Sequence, residues 1–483
     1  MVRIQRKALL VLLLLAMPWL VAAQEPKVLT VDSSAPLLEV KVMVKAGAMA
    51  DPAGLEGLAS LTGRLLLEGG YGDPKKPVTK EQLAEITRPW GEGAYPRVHA
   101  DKEITTFSIT IPREVFAEYV ARVLRPLFTE PLFAAAELDR LRKETLEEIR
   151  SNLRFQQIEL LGLLALDNVM HDGTAYAHLS LGTIRGLEQV TPGAVRRFYR
   201  TWYRPGNLTI GVSSSDATVV NGLRTALAGV GVAAAAGGDA IPFSPRSTEP
   251  PAPPAGRHVT IIGMPKAIAT GLHAGFPIPV TRAHADYWPL YVANVWFGTH
   301  RDSFSHLYQV FREERGYNYG DYSYIEHFEG RPLYLFPPTN SPRRYQYFSI
   351  WIRTVGHEYA HHLLKALTWE LENMVRNGLT PEQVEAAKNK ARVLYLSLAE
   401  DVDRLVGYKL DDDFYGLAPG YLDQYLARID AVTPEAVNAA IRKYLQAENL
   451  CYVIITDQGL AEKLADDIAN DRNARGKTPK EYQ

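Results

Sequence analysis

From Leu38 to Lys45 the chain alternates: Leu38, Val40, Val42 and Val44 are set against Glu39, Lys41, Met43 and Lys45. A period of two predicts a half-buried strand. Gly47, Asp51-Pro52 and Gly54 then mark a turn, and the stretch Gly57–Gly69 follows. Phe107–Ile111 and Phe348–Ile352 also alternate, and each leads into a helical pattern. Leu450–Ile455 is continuously apolar and reads as a buried strand. It carries Cys451, the one cysteine of the chain, so no intramolecular disulfide can form and the thiol is expected to be structural.

These elements recur. Residues 190–212 (VTPGAVRRFYRTWYRPGNLTIGV) align without a gap on 432–454 (VTPEAVNAAIRKYLQAENLCYVI), Val190 on Val432 and Asn207 on Asn449. Each copy opens with Thr-Pro, a cap residue followed by proline at the first helical position. Each continues as a helix, a short turn and an apolar strand. Phe107–Ile111 matches Phe348–Ile352 at nearly the same offset, and Asp139–Arg150 has its counterpart in Thr380–Arg392, where Thr380 and Gln383 form a capping box. The pattern predicts a tandem duplication of one α+β unit, an antiparallel-rich sheet packed with helices.

The expected boundaries follow. Arg3, Arg6 and Lys7, the apolar run Leu9–Leu15 and the small residues Val21-Ala22-Ala23 form a signal peptide over residues 1–23. The alternative, an N-terminal membrane anchor, has a short apolar run broken by Pro18. Domains over 24–236 and 257–466 flank an Ala-, Gly- and Pro-rich linker at 237–256, and a polar tail covers 467–483. With 53 basic and 55 acidic residues there is no excess charge for a phosphate backbone, which argues against nucleic acid as a partner. A cleaved signal peptide directs the chain to the periplasm and leaves no membrane span.

The strand, turn and Gly57-Leu58-Ala59-Ser60-Leu61-Thr62-Gly63-Arg64-Leu65-Leu66-Leu67-Glu68-Gly69 resemble the zinc-helix region of M16 (pitrilysin/insulinase-like) peptidases. The resemblance places the family's His-x-x-Glu-His on Ser60, Leu61, Thr62, Gly63 and Arg64. In that motif two histidines one turn apart hold Zn²⁺ and the glutamate takes a proton from metal-bound water. Serine is a poor ligand, glycine offers no base, and arginine puts a cation where the metal would sit. Glu148 falls at the position of the family's third ligand. Ser305–Tyr319 resembles the family's Arg/Tyr segment, so Arg312 and Tyr319 match side chains that contact substrate backbone and the developing oxyanion. His306 and Tyr317 depart from the pattern.

Some two-domain members of this family work as pairs, with the zinc helix on one subunit and the arginine and tyrosine on the other. The resemblance therefore implies two M16-type domains and a non-catalytic subunit without a cofactor of its own. It implies a partner that carries zinc and His-x-x-Glu-His, and an unfolded polypeptide as substrate. Two other readings compete. His357-Glu358-Tyr359-Ala360-His361 is a literal His-Glu-x-x-His, the signature of helical zinc proteases. Against it, the first-half counterpart around Glu118-Tyr119 makes this segment a sheet-covering helix. A purely structural subunit, like the M16-derived subunits of respiratory complexes, would lose its zinc ligands equally well.

Overall fold

The computed structural model describes residues 25–231, 251, 254–328, 339–418 and 420–472. The expected signal peptide, most of the expected linker and residues 473–483 lie outside the described residues.

Two five-stranded sheets share one topology. The first consists of β1 (Lys27–Thr30), β2 (Leu37–Val44), β3 (Arg97–Ala100), β4 (Thr105–Pro112) and β5 (Leu208–Val212), in the order β1-β5-β2-β4-β3. The second consists of β6 (His258–Met264), β7 (Thr270–Ile278), β8 (Asp321–Tyr324), β9 (Gln346–Val355) and β10 (Cys451–Asp457), in the order β6-β10-β7-β9-β8. In each sheet the first pair is parallel and the rest antiparallel. The expected α+β duplication is thus two homologous mixed sheets, each with its own helices and apolar core.

The caps read from the sequence are formed. Thr191 Oγ1 accepts from Ala194 N at the helix Pro192–Trp202, and Thr433 Oγ1 accepts from Ala436 N at Pro434–Tyr444. Thr380 and Gln383 close their capping box with reciprocal bonds of 2.8 and 3.3 Å. Cys451 is buried.

The halves exchange helices. Ile158–Met170, from the first half, lies on β7 and β10 of the second sheet; Val402–Tyr415, from the second half, lies on β2 and β5 of the first. Each crossing helix comes so close that a glycine is required at the contact. A Cβ on Gly162 would collide with the His273 ring, and one on Gly211 would stand 2.7 Å from Val406 Cγ1. Charge pairs fix the exchange at both ends: Arg353 Nε to Glu159 at 3.0 Å on one helix, and Lys41 Nζ to Asp403 at 2.9 Å on the other.

Candidate functional site

The helix Leu58–Glu68 begins where the Asp51 carboxylate accepts the Gly57 and Ala59 amides, both at 2.7 Å. Its buried face packs on the first sheet and carries Ser60 inward. Gly63 leaves no room for a side chain without displacement: its Cβ would lie 3.1 Å from methyls of both Thr105 and Val98. Arg64 turns to the neighbouring helix Ala135–Glu147, donating to Thr145 Oγ1 at 2.9 Å and Glu144 Oε2 at 3.0 Å. The residues at the expected zinc position thus do not fit the metal. One is a hydroxyl, one has no side chain, and one is a cation already paired. Glu148 stands in the widened helical turn Glu148–Leu153 and accepts from Asn152 Nδ2 at 2.7 Å and Gln157 Nε2 at 3.4 Å. Among the described residues, no group of three or more His, Cys, Asp or Glu side chains is arranged to hold a metal ion.

A cavity of about 350 Å³ opens beside this helix, lined by Ser60 and Arg64, by β3 and by Leu160, Leu163 and Leu164 of the crossing helix. Its floor is an ion cluster that joins the halves. Arg343, 1% exposed, donates to both oxygens of Asp101 at 2.9 and 2.7 Å and to Asp167 Oδ1 at 3.0 Å. Lys102 Nζ lies 3.3 Å from Asp167 Oδ2. Burial is the largest single influence and would raise both carboxyls, but Arg343 acting with His327 on Asp101, and with Lys102 and His171 on Asp167, outweighs it and holds both well below the usual range. Sequence reading missed this cluster, because Asp101-Lys102-Glu103 has the local signature of a solvated loop.

In the second half Arg312 and Tyr319 are brought together. The Arg312 guanidinium carbon lies 4.6 Å from the Tyr308 ring centre and 5.9 Å from that of Tyr319. Cation–π attraction to both rings holds it in place. Tyr319 itself is 77% exposed. The departures from the family pattern have structural work. His306 stacks on Trp296 at 4.6 Å and bonds Glu370 at 2.7 Å, and Tyr317 Oη bonds His362 Nε2 at 3.0 Å. The turn also reaches the first half, since Asn318 Nδ2 donates to the carbonyl of Arg353, the residue paired with Glu159.

The His-Glu-x-x-His segment is not one helical face. His357 sits in the 3₁₀ turn His357–Tyr359, and the α-helix starts only at Ala360. The His357 ring is bonded at Nδ1 to Thr270 Oγ1 (2.8 Å) and at Nε2 to the Ala267 carbonyl (3.1 Å). His361 Nδ1 bonds the Arg472 carbonyl at 2.9 Å. The two rings serve different neighbours, and Glu358 is exposed, its carboxylate folded back over Gly356. No helix among the described residues is long and apolar enough to cross a membrane.

Comparison with known proteins agrees with this architecture. The family model described as insulinase (peptidase family M16) matches residues 27–180, and the one described as peptidase M16 inactive domain matches 189–391. An uncharacterized zinc protease of Streptomyces coelicolor is 27% identical over 280 residues, which cover 58% of this chain but only 56% of that protein. A peptidase M16 inactive domain from Pseudomonas fluorescens has a TM-score of 0.74 at 22% identity, covering 90% of this chain and 96% of its own. A protease from Helicobacter pylori has a TM-score of 0.75 at 15% identity, covering 90% and 97%. Matched in tandem by models of a single family, on two sheets of one topology, the chain belongs to the M16 (insulinase/pitrilysin) peptidase family.

Proposed function

We propose that this chain is the non-catalytic subunit of a periplasmic M16 zinc peptidase. In this reading its mature form starts after Ala23, and the domain boundaries are those expected from the sequence. It pairs with a subunit that carries His-x-x-Glu-His and zinc, and lends Arg312 and Tyr319 to the composite site. The observation that carries the reading is a contrast: the zinc-helix positions are filled by Ser60, Gly63 and a paired Arg64, while Arg312 and Tyr319 stand together at the surface. A guanidinium lying over two tyrosine rings, one of them that of Tyr319, is a donor placed in advance, and the anchored turn presents the phenol beside it. Fixed donors are worth most where negative charge grows on a carbonyl oxygen. The cavity beside the helix Leu58–Glu68 and the edge strand β3 suit an extended polypeptide, which can add to a sheet edge and place side chains in pockets.

Co-purification from the native host, followed by assay of an unfolded peptide, tests the reading. The chain alone is expected to cleave nothing in a metal-dependent way. The complex with its zinc-bearing partner is expected to cleave the peptide and to stop on addition of chelator. A chain that co-purifies with no such subunit, or binds one zinc per chain by itself, contradicts the proposal.

A further inference from the structure

The exposed Tyr319 sits on a turn anchored on every side. Tyr317 is held by His362, and Gly316 and Gly320 take up φ of 65° and 145°, which a side chain would resist. Between them Asn318 is a bridge. Its Oδ1 accepts the Gly320 amide at 3.0 Å, and its Nδ2 donates to Asp321 Oδ1 at 2.6 Å and to the Arg353 carbonyl at 3.3 Å. Asp321 opens β8 directly beneath the turn. It is fully buried, and its Oδ2 has no hydrogen-bond partner.

We infer that Asp321 is a positioning residue for Tyr319: from beneath the turn it fixes, through the Asn318 amide, the direction in which the phenol leaves the surface. This rests on the proposed reading of Arg312 and Tyr319 as substrate contacts. The surroundings explain why a carboxyl here acts as a neutral group. Burial pushes it up to about 8, against weaker pulls from Asn318 and Arg353. Arg353 on β9 is a cation facing it, but that guanidinium is engaged by Glu159 of the crossing helix at 3.0 Å. β8 adds Tyr322, the turn Tyr308–Glu313 packed on it carries Arg312 and Glu313, and the helix Tyr287–Gly298 behind it carries no charged residue.

A carboxyl whose folded value is raised from 3.8 to about 8 contributes stability that is full below the lower value and lost as pH rises through the upper one. Across that window, opening of the turn releases a proton and becomes easier by roughly tenfold per pH unit. Hydrogen exchange of the Gly320 amide in the full chain, divided by its chemical rate, reads this directly. Gly320 protection in the wild type is expected to fall about tenfold per unit from pH 5 to pH 8. Asp321→Asn keeps the acceptor without the titration, so its protection is expected to hold across the range. Asn318→Ala, which leaves β8 intact, is expected to lose protection at every pH, so the test stands even if Asp321→Asn does not fold. Equal, pH-independent protection in wild type, Asp321→Asn and Asn318→Ala overturns the inference. In the catalytic complex Asp321→Asn is expected to retain turnover and Asn318→Ala to lower it. If Tyr319→Phe leaves turnover unchanged while exchange behaves as described, the substrate-contact reading fails and the positioning of the turn stands.

Discussion

Ser60–Arg64 in the first half and Arg312–Tyr319 in the second, the two segments that the proposed function rests on, stand in opposite settings. The first is absorbed into the fold. Ser60 is buried, Gly63 is closed off by Thr105 and Val98, and Arg64 is bonded to Glu144 and Thr145. The second is held up to solvent: residues around Tyr319 are pinned by His362, Asp321 and Arg353, while the ring itself stays exposed. A segment kept only for packing has no reason to spend buried polar groups on presenting an exposed tyrosine. The contrast is that one segment is packed into the fold while the other is anchored so that its tyrosine stays exposed.

The contrast can be broken or sharpened by substitution. The largest effect is expected at the cavity floor. Arg343→Ala removes both guanidinium bonds of buried Asp101 and leaves Asp167 to Lys102 and His171, and should cost about 3–5 kcal/mol. Thermal melting reads it as a drop of several degrees or a separation of the two halves into two transitions. An unchanged melt would show that the halves do not depend on this cluster.

His357→Ala removes bonds to Thr270, Thr456 and the Ala267 carbonyl. A loss of about 1–3 kcal/mol in urea unfolding is expected, with bound metal unaltered by the substitution in elemental analysis. Zinc lost on this change would restore the zinc-protease reading. Tyr317→Phe deletes one bond to His362 and should cost about 0.5–1.5 kcal/mol, whereas Tyr319→Ala at the exposed neighbour should stay within about 0.5 kcal/mol. Equal costs at the two tyrosines would erase the distinction between anchor and presented group.

The smallest effect is expected at Gly63. Glycine to alanine in an open helix gains about 0.8–1.0 kcal/mol. At Gly63 the new methyl would press on Thr105 and Val98 at 3.1 Å, and the gain should vanish. A clear rise in the urea midpoint of Gly63→Ala would mean that the helix is not sealed.

What was legible in the sequence was local. Thr191-Pro192 and Thr433-Pro434 announce helix starts, and the alternation Leu38–Lys45 announces a strand; the expected half-burial fails, because the crossing helix Val402–Tyr415 covers the other face and buries Lys41 and Met43 as well. Ser60, Gly63 and Arg64 could be set against the zinc motif only through the resemblance, and what the structure adds is how each is packed or paired. What escaped was set by partners far along the chain. Asp101 and Asp167 are buried because Arg343 reaches them from the other half, and no window around Asp101-Lys102-Glu103 carries that information. Asp321 reads as an ordinary turn aspartate until β9 and the helix Tyr287–Gly298 cover its strand. The His357–His361 spacing suggested a zinc helix, but spacing does not show where a helix begins. With a 3₁₀ turn over His357–Tyr359, the two rings go to different neighbours.

The central claim is that Arg312 and Tyr319 complete an active site whose zinc lies on another subunit. The most direct measurement is chelator-sensitive turnover of an unfolded peptide by the reconstituted pair, with assembly followed by gel filtration. Arg312→Ala and Tyr319→Phe are each expected to lower kcat by about 10²–10³ while the complex still forms. Undiminished turnover in both variants would contradict the account and leave the chain a scaffold.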